Sequence, residues 1–134
     1  MLNHAEIMGR LTADPELKTT KSGVAVTSFS VAVERNYEVN GKRPTDFLNV
    51  VAWRGTAEFV TKWFRKGQMI VVEGAIETRD YEDRNGNKRT AVEINADCVH
   101  FAGDKKQEGN NTAQTENVSQ ARTEAFETDS ELPF

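Results

Sequence analysis

Two large aromatic residues, Phe47 and Trp53, stand in the segment Thr45–Arg54, which is rich in β-branched and aromatic residues and contains no Gly or Pro. Such a segment reads as a strand. Successive side chains of a strand point to opposite faces, so Phe47, Asn49, Val51 and Trp53 share one face and Leu48, Val50 and Ala52 the other. The second row is purely apolar and suits a core. The first carries two flat rings with a polar residue between them, and Arg54 follows. Rings on one sheet face beside cations form a platform on which planar heterocycles can stack. A single strand aromatic ordinarily belongs to the core. The pair gains weight because Arg35, Tyr37, Lys42 and Arg43 gather just upstream, and Arg79, Tyr81 and Arg84 recur downstream. Rival chemistries are poorly served. One cysteine and two distant histidines, His4 and His100, give no metal-ligand spacing along the chain. Asp46, Glu73, Glu77, Asp80 and Asp97 are scattered and make no constellation for metal-assisted hydrolysis. No cofactor or metal is expected.

The surrounding segments must position these rings. Asn3 to Leu11 reads as a first strand, ended by Asp14-Pro15. Leu17 to Gly23 reads as a polar extension and turn. A second strand runs from about Val24 to Arg35, where Thr27, Phe29, Val31 and Val33 alternate with Ser28, Ser30, Ala32 and Glu34; Val24 and Val26 are out of phase, which predicts a bulge or bend near residue 26. Asn40-Gly41 is a tight-turn signal leading into the Phe47–Arg54 strand. Gly55 to Gly67 breaks the β pattern: Thr56 can cap a helix with Ala57, Val60 and Phe64 on one stripe beside Phe59 and Trp63, Arg65 and Lys66 fall in its last turn, and Gly67 suits the C′ position. Met69 to Glu82 is a long strand with Gly74 at a sharp coil. Asn85-Gly86 turns it into a return strand from Lys88 to about Phe101, in which Val92, Ile94, Ala96 and Cys98 alternate, making Cys98 a small core residue. The order is all-β, five strands with one short helix between strands three and four. That is the layout of the OB-fold, a small Greek-key barrel. Its usual ligand face brings Tyr37, Phe47, Trp53, Arg54, Arg79, Tyr81 and Arg84 within reach of one groove.

At 134 residues the chain has room for one domain and little more. No apolar run is long enough to cross a membrane, and the N-terminus lacks the basic and apolar regions of a secretory signal, so a cytoplasmic location is expected. A lone cysteine fits a reducing compartment. The formal charge of −4 is unevenly placed. Residues 104–134 hold seven acids against three bases, whereas residues 1–103 hold fourteen of each sign. The body is neutral, and the excess acid belongs to a polar, low-complexity stretch that cannot bury enough surface to order itself; a disordered acidic C-terminal tail is expected. It ends Asp129-Ser130-Glu131-Leu132-Pro133-Phe134. An acidic-hydrophobic tip with its free carboxylate suits capture by a basic, apolar pocket on another protein.

Several ordered motifs carry a resemblance: Met8-Gly9-Arg10-Leu11 followed by Asp14-Pro15-Glu16, Phe29-Ser30-Val31-Ala32-Val33, Asn49-Val50-Val51-Ala52-Trp53, Arg65-Lys66-Gly67, Val72-Glu73-Gly74, Thr78-Arg79 leading to Tyr81, and the terminal Pro133-Phe134. Together they resemble the bacterial and phage single-stranded-DNA-binding proteins over residues 1–103 and the last six residues. The resemblance implies base stacking on Tyr37, Phe47, Trp53 and Tyr81, a homotetramer of OB-folds, and docking of replication, recombination and repair proteins on the tip. Compared with that family, the tip is short of acids, with Ser130 between only two of them. Arg35, Lys42, Arg43, Arg54, Arg79, Arg84, Lys88 and Arg89 are then expected to contact phosphate. The expected division is an OB-fold DNA-binding domain over 1–103, a linker over 104–128 and the docking tip over 129–134. The protein is expected to bind single-stranded DNA stoichiometrically, not to turn it over. The rival readings are an OB-fold primosomal or interaction module and, further off, an OB-fold metal-dependent nuclease.

Overall fold

The computed structural model describes residues 1–103, and every structural statement below refers to them. The expected linker over 104–128 and tip over 129–134 lie outside the described residues. Strands run over Ala5–Leu11 (β1), Lys18–Thr19 (β2), Ala25–Glu34 (β3), Thr45–Trp53 (β4), Met69–Glu82 (β5) and Lys88–Phe101 (β6), with one helix, α1, over Arg54–Trp63. The sheet order is β1-β5-β6-β4-β3-β2, and β1 also pairs with β3. That last pairing closes β1, β5, β6, β4 and β3 into a ring of five strands consistent with an OB-fold. β2 is a two-residue addition to the edge of β3, pairing Lys18 with Val26.

The alternation read from β3 and β4 fills the interior. Phe29, Val31, Val50 and Ala52 are buried, joined by Leu11, Ile70, Val72, Ile94 and Ala96 from the other strands. The helix contributes Ala57 and Val60, and Phe64 follows it into the same core. The Phe64 ring stacks on Phe101 at 4.8 Å between centroids, with Phe59 edge-on to both, so these rings close the barrel on the helix side. Among the described residues Thr27 carries the one buried side-chain oxygen with no hydrogen-bond partner.

Closure requires two strands to pass too close for a side chain. A Cβ on Gly9 would collide with the carbonyl oxygen of Ala32, and one on Gly74 with that of Asn95. Only glycine fits where backbones approach in this way. At Gly74 the β5–β6 register also shifts: Glu73 pairs with Cys98, but Gly74 pairs with Ala96. The extra residue, Asp97, is a bulge. It resets the alternation of β6, so Val99 packs on the core and Cys98 faces solvent. Cys98 is therefore not the core residue its spacing implied. Past the β4–β6 contact at Ile94 and Asn95, β5 and β6 continue as an exposed two-stranded arm, and Ile76 and Val92, in phase with the core, are solvent-accessible.

Other local expectations resolve differently. β3 and β4 stay in register from Val26 to Glu34, so no bulge lies near residue 26. Val24 instead closes the preceding turn with Thr20, and Val26 stands half-buried on the outer face opposite Trp53. β4 runs into α1 without a loop, turned by Arg54 at φ 55°. Trp53 occupies the N-cap position and makes no side-chain cap bond, so Thr56 lies inside the helix and caps nothing. The helix ends at Phe64, where the Arg65 guanidinium donates to the carbonyls of Thr61 and Phe64 and supplies the C-terminal partner expected of a basic residue. Gly67, at φ 85°, belongs to the following turn, and its N–H donates to Leu11. Both Asn-Gly turns form: Asn40 and Gly41 take φ 53° and 76°, and Gly86 takes φ 78°.

The crossing at Gly74 makes a stability prediction. Gly74→Ala should destabilise the domain by about 1–3 kcal/mol through forced separation of β5 and β6, whereas Gly55→Ala, in the first turn of α1 with open space around it and no left-handed backbone, should cost less. Urea denaturation of the two variants against the parent checks the order; equal costs would mean the crossing is slack.

Candidate nucleic-acid interface

The interface is built on the outer face of β3 and β4. Antiparallel register sets Phe47 opposite Ala32, Asn49 opposite Ser30, Val51 opposite Ser28 and Trp53 opposite Val26. Directly paired residues project to the same side, so Phe47 lies beside a methyl group and the middle of the face beside two hydroxyls. Nothing bulky on β3 covers the Phe47 ring. Phe47 is 66% exposed and Trp53 41%. Six residues of strand separate them by about 20 Å.

The face continues across the parallel β4–β6 contact. Val51 pairs with Asn95, Asn95 with Ala75, and further along the arm Glu77 pairs with Glu93, Arg79 with Ala91 and Tyr81 with Arg89. By the two-residue period, Ala75, Glu77, Arg79 and Tyr81 are on the outer side with Val51. Tyr81 is 43% exposed, and Tyr37, in the β3–β4 loop, is 51% exposed. The structure thus leaves all four expected rings open to solvent, three of them on one run of sheet and Tyr37 on a loop at its end. Next to Tyr81, an open depression of about 590 Å³ is lined by Asp80, Glu82, Lys88, Arg89 and Thr90.

The eight expected cations divide into two groups. Arg35 grips Asp46 through Nε and Nη2, each at 2.9 Å, and its Nη1 donates to the Tyr37 hydroxyl at 2.6 Å. Arg79 pairs with Glu93 at 2.9 Å and lies 5.8 Å from the centre of the Tyr81 ring. Arg89 pairs with Asp83 at 3.1 Å, and Arg43 with Glu38 at 3.9 Å. These arginines hold carboxylates, and two of them also steady a ring. Lys42, Arg54, Arg84 and Lys88 form no ion pair among the described residues. Arg54 occupies a left-handed backbone position directly after Trp53, at a local backbone cost.

The hydrogen bonds from Arg35 hold the Asp46 carboxyl below its ordinary range, and Arg35 itself is pushed further up by the same contact. Asp83 is also lowered, first by the backbone N–H of Asn87 and then by Arg89. Its Oδ1 accepts from the N–H groups of Asn85 and Asn87, which fixes the tip of the β5–β6 arm. Sequence reasoning missed the Arg35–Asp46 and Arg79–Glu93 pairings because each joins neighbouring strands. It also missed that His4, Glu6 and Glu73 converge, their ligand-capable atoms all within 4.8 Å of one another. Sixty-seven residues of chain separate Glu6 from Glu73, so spacing carries no trace of it.

A closed five-stranded barrel whose outer face presents exposed rings among cations is an OB-fold of the oligonucleotide-binding class. Residues 2–102 match the Single-strand binding protein family, and the chain belongs to that family. It is 42% identical over 117 residues to the single-stranded DNA-binding protein of Caldanaerobacter subterraneus subsp. tengcongensis, covering 87% of this chain and 78% of that protein. It is 41% identical over 111 residues to single-stranded DNA-binding protein 1 of Staphylococcus aureus, covering 82% and 71%. With single-stranded DNA-binding protein 1 of Lactococcus lactis it shares 37% identity over 137 residues, covering 100% and 91%.

Because the Asp83 carboxyl is held below its ordinary value, its contribution is complete above the ordinary carboxylate range and is lost as pH falls through the lowered one. Asp83→Ala should reproduce that loss at neutral pH. Amide exchange at Asn85 and Asn87 is expected to speed up in the variant while exchange at Val50 and Ile70 in the core stays slow; an unchanged arm would remove Asp83 as its organiser.

Proposed function

We propose that this chain binds single-stranded DNA without sequence preference, stacking bases on Tyr37, Phe47, Trp53 and Tyr81. The observation that carries the reading is the exposure of all four rings, where burial is the ordinary fate of a strand aromatic. Any base offers a face to a flat ring, so stacking tolerates sequence, whereas the bases of a duplex are already stacked on each other and cannot reach the rings. Lys42, Arg54, Arg84 and Lys88 meet phosphates directly. Arg35, Arg43, Arg79 and Arg89 do so only by sharing or exchanging their carboxylates. The action is stoichiometric coverage, not turnover, and serves to protect single strands during replication, recombination and repair.

The same reading extends to parts beyond the barrel. Residues 1–103 act as the binding domain, 104–128 as a linker, and Asp129, Ser130, Glu131, Leu132, Pro133 and Phe134 as a docking tip for replication, recombination and repair proteins. The working unit is a homotetramer in the nucleoid. The family match over residues 2–102 and the names of the relatives support single-stranded DNA as the ligand of the barrel; the roles of the linker and tip and the tetramer rest on the sequence resemblance.

Titration with oligo(dT) and with duplex DNA, read by tryptophan fluorescence, tests the central claim. Trp63 is also exposed on the helix, so the titration uses a Trp63→Phe background in which Trp53 reports alone. Quenching by the single strand and not by the duplex is expected. Phe47→Ala and Trp53→Ala should each weaken single-strand binding by about 1–3 kcal/mol, with unchanged melting temperature; no loss in either variant would end the stacking reading. In a salt series, Asp46→Asn should release Arg35, tighten binding at low salt and steepen the slope of log K against log salt by about 0.7 for one added phosphate contact. An unchanged slope would confine Arg35 to holding Tyr37.

A further inference from the structure

We propose that His4, Glu6 and Glu73 form a binding site for a divalent transition-metal ion of the zinc type on the outer surface of β1 and β5, with His100 orienting Glu73. One imidazole nitrogen and two carboxylate oxygens lie within 4.8 Å of one another, close enough to meet a single ion. Glu6 and Glu73 are direct partners across the antiparallel β1–β5 pair. Two facing carboxylates repel one another there, and a cation between them removes the conflict. No lysine or arginine among the described residues pairs with either acid.

The orienting group is placed by the same backbone feature that turns Cys98 outward. The Asp97 bulge carries His100 to the outer face, where its Nε2 lies 2.7 Å from Glu73 Oε2. In the tautomer protonated at Nε2 the ring donates to that oxygen, which leaves the other carboxylate oxygen for a metal. A ligating carboxylate held by such an outer partner is how protein metal sites are commonly set. On the opposite side, the Asn3 side chain donates to the carbonyl of Ile76 and accepts from its N–H, at 2.8 and 2.9 Å. These two hydrogen bonds extend the β1–β5 ladder past its last backbone pair and fix the residue next to His4. Imidazole with carboxylate suits zinc, cobalt or nickel over magnesium or calcium, and water completes a four-coordinate shell. The site shares the outer side of β5 with the aromatic run, but Glu73 lies eight residues and about 26 Å of strand from Tyr81. A bound ion ties the start of β1 to β5, and the consequence is for the stability of the barrel.

The test uses the untagged full chain, with Co²⁺ as the spectroscopic probe and Zn²⁺ as the competitor. A visible d–d band at one equivalent of Co²⁺, displaced by Zn²⁺ but not by an excess of Mg²⁺, is expected, together with a higher melting temperature in Zn²⁺. His4→Ala should abolish the band and the thermal shift, and His100→Gln should weaken binding about 10- to 100-fold. Glu6→Gln is the second ligand variant, used if His4→Ala melts lower than the parent without metal. A band that survives the ligand variants overturns the proposal, as does displacement by Mg²⁺. So does an intense thiolate-to-cobalt charge-transfer band, which would assign the ion to Cys98.

Discussion

The barrel depends on how closely two pairs of strands can cross. Gly9 against Ala32 and Gly74 against Asn95 are positions where a single added carbon would meet a carbonyl oxygen. At the first, β1 can lie against β3 as well as β5, which shuts the ring. At the second, β5 coils tightly over β6, and the bulge at Asp97 absorbs the mismatch. β-Branched residues fill much of the interior, with Val31, Val50, Val60, Ile70 and Val72 wholly buried beside Phe64. The outer surface gains a continuous run from β3 through β4 and β6 to the β5–β6 arm, and that run carries Phe47, Trp53 and Tyr81.

The electrostatics of that surface follow from its neutrality. Four of the arginines near the rings each hold a carboxylate, so the face is an array of ion pairs with only a few free cations among the described residues. Exposed pairs of this kind add little to stability. Their use is geometric. Arg35 links Asp46 on β4 to the Tyr37 hydroxyl in the loop, and Arg79 links Glu93 on β6 to the face of the Tyr81 ring. Tyrosines on an exposed loop and an exposed arm are thereby given a preferred orientation, at a smaller ordering cost for any planar partner.

Much of this was legible in the sequence, for a local reason. Strand alternation is a property of consecutive residues, so Phe47 and Trp53 could be assigned to one face and Val50 and Ala52 to the other without knowing any partner. The Asn-Gly turns are equally local, because a positive φ is needed at specific positions. Features that depend on a second strand were hidden. The slip at Asp97 arises where Gly74 meets Asn95, and no pattern within Lys88–Phe101 announces it; Cys98 was accordingly placed on the wrong side. The out-of-phase Val26 predicts a bulge or bend, yet the register runs unbroken and Val26 is a half-buried outer residue opposite Trp53. Thr56 looked like a helix cap only because the helix begins earlier, directly from the end of β4.

On the proposed reading, the pairing of the arginines bears on how a chain of this charge holds a polyanion. Residues 1–103 carry as many acids as bases, so long-range attraction to DNA is weak, and a phosphate that reaches Arg79 must compete with Glu93. Each such exchange replaces one anionic partner by another and gains less than a contact to a free cation. Binding energy must then come in larger part from the rings, whose stacking is short-ranged and little affected by salt, and less from counterion release. A surface built this way favours strands whose bases are already unpaired, because only those can offer what the rings accept.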